Sequence, residues 1–234
     1  MKLLILRPQV GGEATAARAI RLGFDTVVAP LFYYRSLPWS PPDPATIDAL
    51  LLTSAAAVRL GGDGLTQYRT LPVQAVGTAT AEAARLAGFA NLATGKKDGN
   101  AAAVMLAASG QQKILHLCGQ DHVAVGHPLL TIRHIAVYVA DAVEHLPTAA
   151  ALALNDHAVA LLHSPRAARV FGTLLDHAKR SRATVRLACF SQNVADAAGV
   201  GWAGVEIANV PTDDALFAAA RMLCDQDPNG TLER

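Results

Sequence analysis

Small polar residues recur wherever a short apolar run ends. Arg7-Pro8, Thr53-Ser54, Gly77-Thr78-Ala79-Thr80, Gly119-Gln120, Ser164-Pro165-Arg166 and Ser191-Gln192-Asn193 all occupy such positions. Hydroxyls, amides and arginines at strand-to-helix turns suit the binding of carboxylates or phosphates. The first turn of a helix offers free N–H groups and a partial positive charge, and arginine pairs with planar anions. In an open parallel sheet these turns lie beyond the carboxyl ends of the strands, where ligands bind. Each residue taken singly also reads as a helix cap. Their recurrence at strand ends in both halves of the chain favours binding.

Other chemistries lack their signatures. No Gly-x-Gly-x-x-Gly follows a strand, and there is no phosphate-loop motif. There is no Gly-x-Ser-x-Gly turn to expose a nucleophilic serine. The eight histidines include no His-Glu-x-x-His, and His122 and His127 are spaced wrongly for one helix face. The histidines are therefore read as scattered, with no metal site. No two acids stand in a recognisable acid–base pair.

The elements that position these turns are legible from periodicity. Apolar runs at 2–6, 26–33, 49–52, 73–76, 91–93, 114–117, 135–139, 159–162, 185–190 and 205–208 read as strands. Segments 14–22, 78–86, 101–108, 166–178 and 213–223 carry helical spacing. Ser54, Ser164 with Pro165, Thr78 or Thr80, and Thr212 or Asp213 are placed to begin helices, and Gly23, Gly88 and Gly199 to end them. Strands alternating with helices imply parallel sheets covered on both faces.

The chain also repeats itself. Leu51-Leu52-Thr53-Ser54 resembles Leu161-Leu162-His163-Ser164, and 73–89 resembles 186–202. Lys2-Leu3-Leu4-Ile5-Leu6 resembles Lys113-Ile114-Leu115-His116-Leu117, and Asn100-Ala101 sits like Asp213-Asp214. The offsets are all about 110 residues, as in a diverged duplication.

Composition bounds the partners. The chain has 234 residues, 52% of them hydrophobic and 17% charged, enough apolar mass for a packed core. A net charge of +1 gives no global field for nucleic acid and no basic run for a membrane surface, so an anion site must be built locally. Cys118, Cys189 and Cys224 are odd in number and far apart, and read as buried thiols in a reducing compartment. The apolar start ends at Arg7-Pro8, short of the roughly 7–15 residues of a secretory core. No run approaches the ~20 residues of a spanning helix. A cytoplasmic protein acting on a small molecule is expected, as a monomer with no nucleic-acid or membrane partner.

Two segments break the rhythm. Residues 35–44 are dense in proline and exclude a helix or a central strand, and 140–148 form a softer break around Pro147. Residues 1–34 plus 149–228 are expected to form one discontinuous domain, with 37–135 inserted into it. Strands in 35–40 and 136–148 would link the two, and 229–234 would be a tail.

Ile5-Leu6-Arg7-Pro8, Thr53-Ser54 with Ala57-Val58, Val76-Gly77 with Thr80-Ala81, Val137-Tyr138 and Ser164-Pro165 with Ala167 occur in one order. In that order and spacing the chain resembles uroporphyrinogen-III synthases over about 220 residues. The resemblance implies two flavodoxin-like, doubly wound α/β domains, interleaved and joined by a two-stranded linker. It implies closure of hydroxymethylbilane in a cleft between the domains, with inversion of ring D, loss of water and no cofactor. By the same matching Tyr138 is the catalytic tyrosine. Arg7, Thr53, Ser54, Gly77, Thr78, Thr80, Gly119, Ser164, Arg166, Gln192 and Asn193 bind substrate, with Arg7 and Arg166 as the cations for its carboxylates. Two departures stand out. Ser191-Gln192-Asn193 replaces a Gly-x-Thr-Thr pattern, and the arginine usual after Gly119 is missing, with His122 or His127 as substitutes. They leave room for a non-catalytic tetrapyrrole- or anion-binding paralogue. A two-domain sensor of periplasmic type is the more distant alternative, disfavoured by the expected lack of a leader.

Overall fold

A computed structural model describes residues 1–95 and 98–225, with the side chains of Val10, Cys224 and Asp225 left out. The reading of 229–234 as a tail, and of Cys224 as a buried thiol, falls outside the described residues. The chain divides into two compact units, residues 1–33 with 142–234 and residues 34–141.

The first unit is built on β1 (Lys2–Ile5), β2 (Asp25–Val28), β9 (Val159–Leu162), β10 (Arg186–Cys189) and β11 (Gly204–Ile207). Their order is β11-β10-β9-β1-β2, parallel throughout. Near-continuous Leu, Val and Ala in β1 and β9 bury both strands, as a sheet covered on both faces requires. Leu3, Ile5, Val159 and Leu161 point to one face, where they pack with α1 (Gln9–Arg21) and α8 (Asp213–Asp225) through Ala16, Ala19, Leu216, Phe217 and Ala220. Side chains alternate along a strand, so Leu4, Ala160 and Leu162 serve the other face. There lie α5 (Thr148–Asn155), α6 (Pro165–His177) and α7 (Gln192–Ala198). Each large side chain so buried contributes roughly 1.5–3 kcal/mol.

The second unit holds β4 (Ala49–Leu52), β5 (Val73–Val76), β6 (Leu92–Gly95), β7 (Lys113–Gly119) and β8 (Thr131–Ala142), in the order β8-β7-β4-β5-β6 and all parallel. β3 (Phe32–Ser36) adds at the β8 edge. Helices α2 (Ala55–Leu60) and α3 (Thr78–Leu86) pack with Leu50, Leu52, Leu115 and Leu117 on one face. Helix α4 (Gly99–Ala108) meets Ala49, Leu51 and Ile114 on the other.

The repeat explains the two orders. Counted from β1, the first sheet runs 2-1-3-4-5, the flavodoxin-like order. Counted from β7 and wrapped round to β4, the second sheet runs 2-1-3-4-5 as well. The repeated segments pair β7 with β1, β4 with β9 and β5 with β10, which are the same places in each sheet. The units are one doubly wound design, with the second copy entered at its third strand. The chain reaches the second unit through β3 and leaves it through β8.

Local departures have local causes. The run read as one strand at 26–33 is two, β2 and β3, because Pro30 has no N–H to give a sheet and restricts Ala29 before it. β8 is longer than the apolar stretch 135–139, since Arg133 and His134 continue the pairing on exposed positions. Helix α1 starts at Gln9 rather than 14, its first turn disguised by Gly11 and Gly12.

Candidate functional site

In the second unit the carboxyl ends of β4 and β7 border a cavity of about 450 Å³, lined by Thr53, Ser54, Asn100, Gly119, His122 and Tyr138 among others. β4 and β7 are neighbours that the chain leaves in opposite directions, which is where a doubly wound sheet opens a crevice. Ser54 caps α2, accepting a hydrogen bond from the Ala56 N–H at 3.1 Å. The Tyr138 hydroxyl donates to Ser54 Oγ at 3.1 Å. A bulge at Cys118/Gly119 sets Gly119 opposite Tyr138, and a Cβ on Gly119 would stand 2.8 Å from the tyrosine ring. The glycine is there to let the ring lie flat on the strand. Tyr34 closes the other side edge-on, with ring centroids 5.2 Å apart.

Three histidines gather at the same strand ends. His116 on β7 is fully buried and His134 on β8 is exposed, and their Nδ1 atoms stand 2.9 Å apart. His116 Nε2 is 2.9 Å from Thr53 Oγ1. His122 stacks on His134 and hydrogen-bonds the Gly119 carbonyl at 2.9 Å. Burial, with His134 and His122 adding to it, pushes the proton affinity of His116 down to a pKa of about 3. His134 is lowered by burial and by His122. His116 is thus neutral and hydrogen-bonded to His134. Among the described residues no group of three or more His, Cys, Asp or Glu is placed to hold a metal ion.

In the first unit the equivalent strand ends, of β1 and β9, border a smaller cavity of about 210 Å³. Arg7, His163 and Ser164 give it polarity, and Leu6, Phe32 and Leu161 give it apolar walls. Ser164 caps α6 through the Ala167 N–H, with Pro165 in the first helical position. Behind the cavity sits a buried carboxylate, Asp213. It accepts from Thr15 Oγ1 at 3.1 Å, from His163 Nε2 at 3.1 Å and from Arg18 at 3.3 Å, with Arg7 at 3.7 Å. Burial pushes the carboxyl up, but the bonds from His163 and Thr15 and the nearby charges outweigh it and hold it below the usual range. Burial also keeps His163 neutral, with its proton on Nε2 toward Asp213. Arg7 folds back over Gly11 and bonds Thr15 Oγ1, so Asp213 and Thr15 set its direction.

Thr53, Ser54, Gly119 and Tyr138 therefore meet around one cavity, and Arg7 and Ser164 around another. Arg166 lies over the Phe32 ring, 4.7 Å from its centre. The other candidates fall outside these cavities. Gly77 supplies the left-handed turn, at φ 82°, that starts α3. Thr78 is exposed, whereas Thr80 is turned into the core at 5% exposure; the hydroxyl this turn presents is Thr78 and not Thr80, their places on the helix having decided it. Gln192 is exposed and spends its amide on Asp196 one turn along α7, and Asn193 is exposed beside it. Of the two histidines considered as arginine substitutes, His122 lines the cavity, while His127 accepts from the Leu129 N–H within its own loop. Thr212 caps α8, and Asp213 turns inward instead. The buried thiols Cys118 and Cys189 are free, their pKa values raised by burial to about 11 and 12.

Duplicated, doubly wound α/β units with hydroxyl- and imidazole-lined strand ends define the class: a two-domain α/β protein with a cavity at the strand ends of each unit. A family model described as uroporphyrinogen-III synthase HemD matches residues 13–218. The chain belongs to the uroporphyrinogen-III synthase family, lyases of tetrapyrrole biosynthesis. Among solved structures it is similar to the uroporphyrinogen-III synthetase of Helicobacter pylori 26695, at 17% identity and a TM-score of 0.61, over 86% of this chain and 93% of that one. That likeness supports the fold. A mutant uroporphyrinogen III synthase from Thermus thermophilus aligns at 17% identity and a TM-score of 0.46, over 97% of this chain and 100% of that one. No curated protein sequence matches the chain. Among the described residues no helix is long and apolar enough to cross a membrane.

Proposed function

We propose that the chain closes hydroxymethylbilane to uroporphyrinogen III, with the Tyr138 hydroxyl as a hydrogen-bond donor to the departing hydroxyl. The observation that carries this is the Tyr138 O–H. It borders a polar cavity at a switch point of the sheet, and its bond is a 3.1 Å one to Ser54 Oγ. That oxygen already accepts from the Ala56 N–H, so turning the phenol proton to a substrate oxygen leaves no buried group unpaired. The pyrroles of the substrate stabilise the cation left when water departs, so the protein's work is to hold the chain wrapped and to help the hydroxyl leave. Arg7 and Arg166, with the helix start at Ser164, take substrate carboxylates in this scheme, and Thr53 and Thr78 offer hydroxyls. A cytoplasmic, monomeric enzyme belongs to the same proposal, supported by buried free thiols and near-balanced charge.

The product isomer tests the reaction. Left alone, hydroxymethylbilane closes without inversion, to the type I isomer. Purified protein with chelator and no added cofactor should divert it to type III, read by chromatography of the oxidised porphyrins. Type I alone from folded protein would refute the proposal.

Tyr138→Phe tests the residue. The fold and KM should be kept, because the hydroxyl acts on a group that leaves in the transition state. Losing one such bond, worth roughly 1–3 kcal/mol, lowers kcat about 5- to 150-fold. A wild-type kcat under saturating substrate would make Tyr138 a packing residue.

A further inference from the structure

Thr53, His116 and His134 form a hydrogen-bonded row that Tyr138 does not account for. Backbone register creates it. His116 and His134 are partners across β7 and β8, and Leu51 is the partner of His116 on β4. Thr53, two residues beyond Leu51, points to the same face. Both contacts in the row are 2.9 Å. One end, His134, is exposed, the middle is fully buried, and the other end lines the cavity that Tyr138 lines. The row runs from solvent to cavity.

A bond between two ring nitrogens holds one proton, so each ring fixes the tautomer of the other. In a neutral row whose His134 proton lies on Nε2, the nitrogen away from His116, the His134 Nδ1 accepts from His116 Nδ1–H. His116 Nε2 then accepts from the Thr53 hydroxyl, and Thr53 shows the cavity only lone pairs. A second proton on His134 reverses every bond. His134 Nδ1–H donates to His116, His116 Nε2–H donates to Thr53, and the Thr53 hydroxyl is released to donate into the cavity.

We propose that His134, His116 and Thr53 are a proton relay that delivers a proton to the oxygen leaving the substrate. This rests on the reaction proposed above. Thr53 gives its hydroxyl proton to that oxygen as the carbon–oxygen bond breaks, and the bonding pair leaves with the oxygen as water. Thr53 takes the proton of His116 Nε2, and His116 Nδ1 takes that of His134 Nδ1. His134, now neutral, is recharged once the product has left: water entering the cavity gives a proton to Thr53, Thr53 gives one to His116 Nε2, and His116 returns its Nδ1 proton to His134 Nδ1. Thr53 is the catalytic residue of the row, and the two histidines position and supply it. The titratable group facing them is His122, stacked on His134 with ring centroids 5.4 Å apart and edge-on to His116 at 5.8 Å, and the acids Asp98 and Asp121 line the cavity that Thr53 lines. His122 and burial oppose the extra proton, whereas the carboxylates of an arriving substrate favour it.

The test joins spectroscopy to kinetics on the whole chain. With 15N-labelled histidine under mildly alkaline conditions, His116 should carry its proton on Nδ1, with a scalar coupling across to His134 Nδ1. Thr53→Val should lower kcat about 100-fold, the scale of general acid catalysis, and Thr53→Ser should recover most of that loss. His134→Asn keeps a polar partner without a second proton. It should leave KM in place and abolish the rise in wild-type kcat on acidification through the titration of His134. A His116 proton on Nε2, equal rates for Thr53→Val and Thr53→Ser, or a pH profile unchanged in His134→Asn would overturn the relay. Wild-type protein yielding only the type I isomer would refute the reaction instead, and the tautomer would still test the row.

Discussion

Asp213→Ala should destabilise the first unit by about 3 kcal/mol, the low end of what is lost when a buried ion pair is broken. The carboxylate is 8% exposed and collects Thr15, His163, Arg7 and Arg18 on its two oxygens. Alanine leaves the Thr15 hydroxyl and the His163 Nε2–H buried without that acceptor, each costing about 1–3 kcal/mol. The two arginines moderate the loss, because their side chains are 37% and 42% exposed and water takes over part of their charge. A loss of about 3 kcal/mol corresponds to a fall of about 6–12 °C in Tm for a chain of this size. Asp213→Asn, which keeps an acceptor oxygen for one of the two donors, should fall between alanine and wild type. Circular-dichroism melts would show it. An Asp213→Ala melt within about 1 °C of wild type would mean that solvent already satisfies these groups.

The repeat is the strongest structural signal in the sequence, because its physical basis is local. A strand ending in a capped helix needs the same apolar run, the same serine and the same small residues wherever it recurs, as at Leu51–Ser54 and Leu161–Ser164. Elements without a period of their own are harder to read. Helix α5 is Thr148–Asn155, almost all alanine and leucine, and shows no polar face to set it apart from a loop beside Pro147. The break at Pro30 is concealed by apolar residues on both sides, Ala29 before it and Leu31 and Phe32 after it all being buried.

The site divides along similar lines. Turn residues announce themselves, since only a few side chains cap a helix or accept a left-handed backbone, and Ser54, Ser164 and Gly77 do what their types require. In the sequence the histidine row looks like scattered side chains because nothing local joins its members. His116 and His134 are 18 residues apart, and the register of two parallel strands alone makes them neighbours. Asp213 looks like a helix cap for the same reason, its partners Thr15 and His163 lying 198 and 50 residues away. One signal is present. In the repeat His163 stands where Thr53 stands, and both are the polar residue at a strand end that reaches a second strand or helix behind the cavity.

Acid should unfold the second unit early, and His116 should be the chief cause. In the folded state its pKa is about 3, against 6.5 for the free side chain. Above pH 6.5 both states are neutral and the residue has no effect on pH dependence. Below it the unfolded chain binds a proton that the folded chain refuses, so stability falls as pH falls, by about 1.4 kcal/mol for each pH unit. By pH ~5 the loss from this one ring is about 2 kcal/mol. Most carboxylates remain ionised in that interval, which separates the histidine effect from ordinary acid denaturation. His116→Gln removes the titration while keeping a polar side chain near Thr53 and His134. It should be somewhat less stable than wild type at neutral pH, and it should lose less of its stability on acidification, by about 1.4 kcal/mol per unit. Urea titrations at a series of pH values give both slopes. Equal slopes for the two proteins would mean that His116 takes up its proton in the folded state, and a charge would then be held in the dry centre of the row. The same burial that makes the unit acid-labile keeps the middle of the row neutral, so a proton can pass through His116 without resting there.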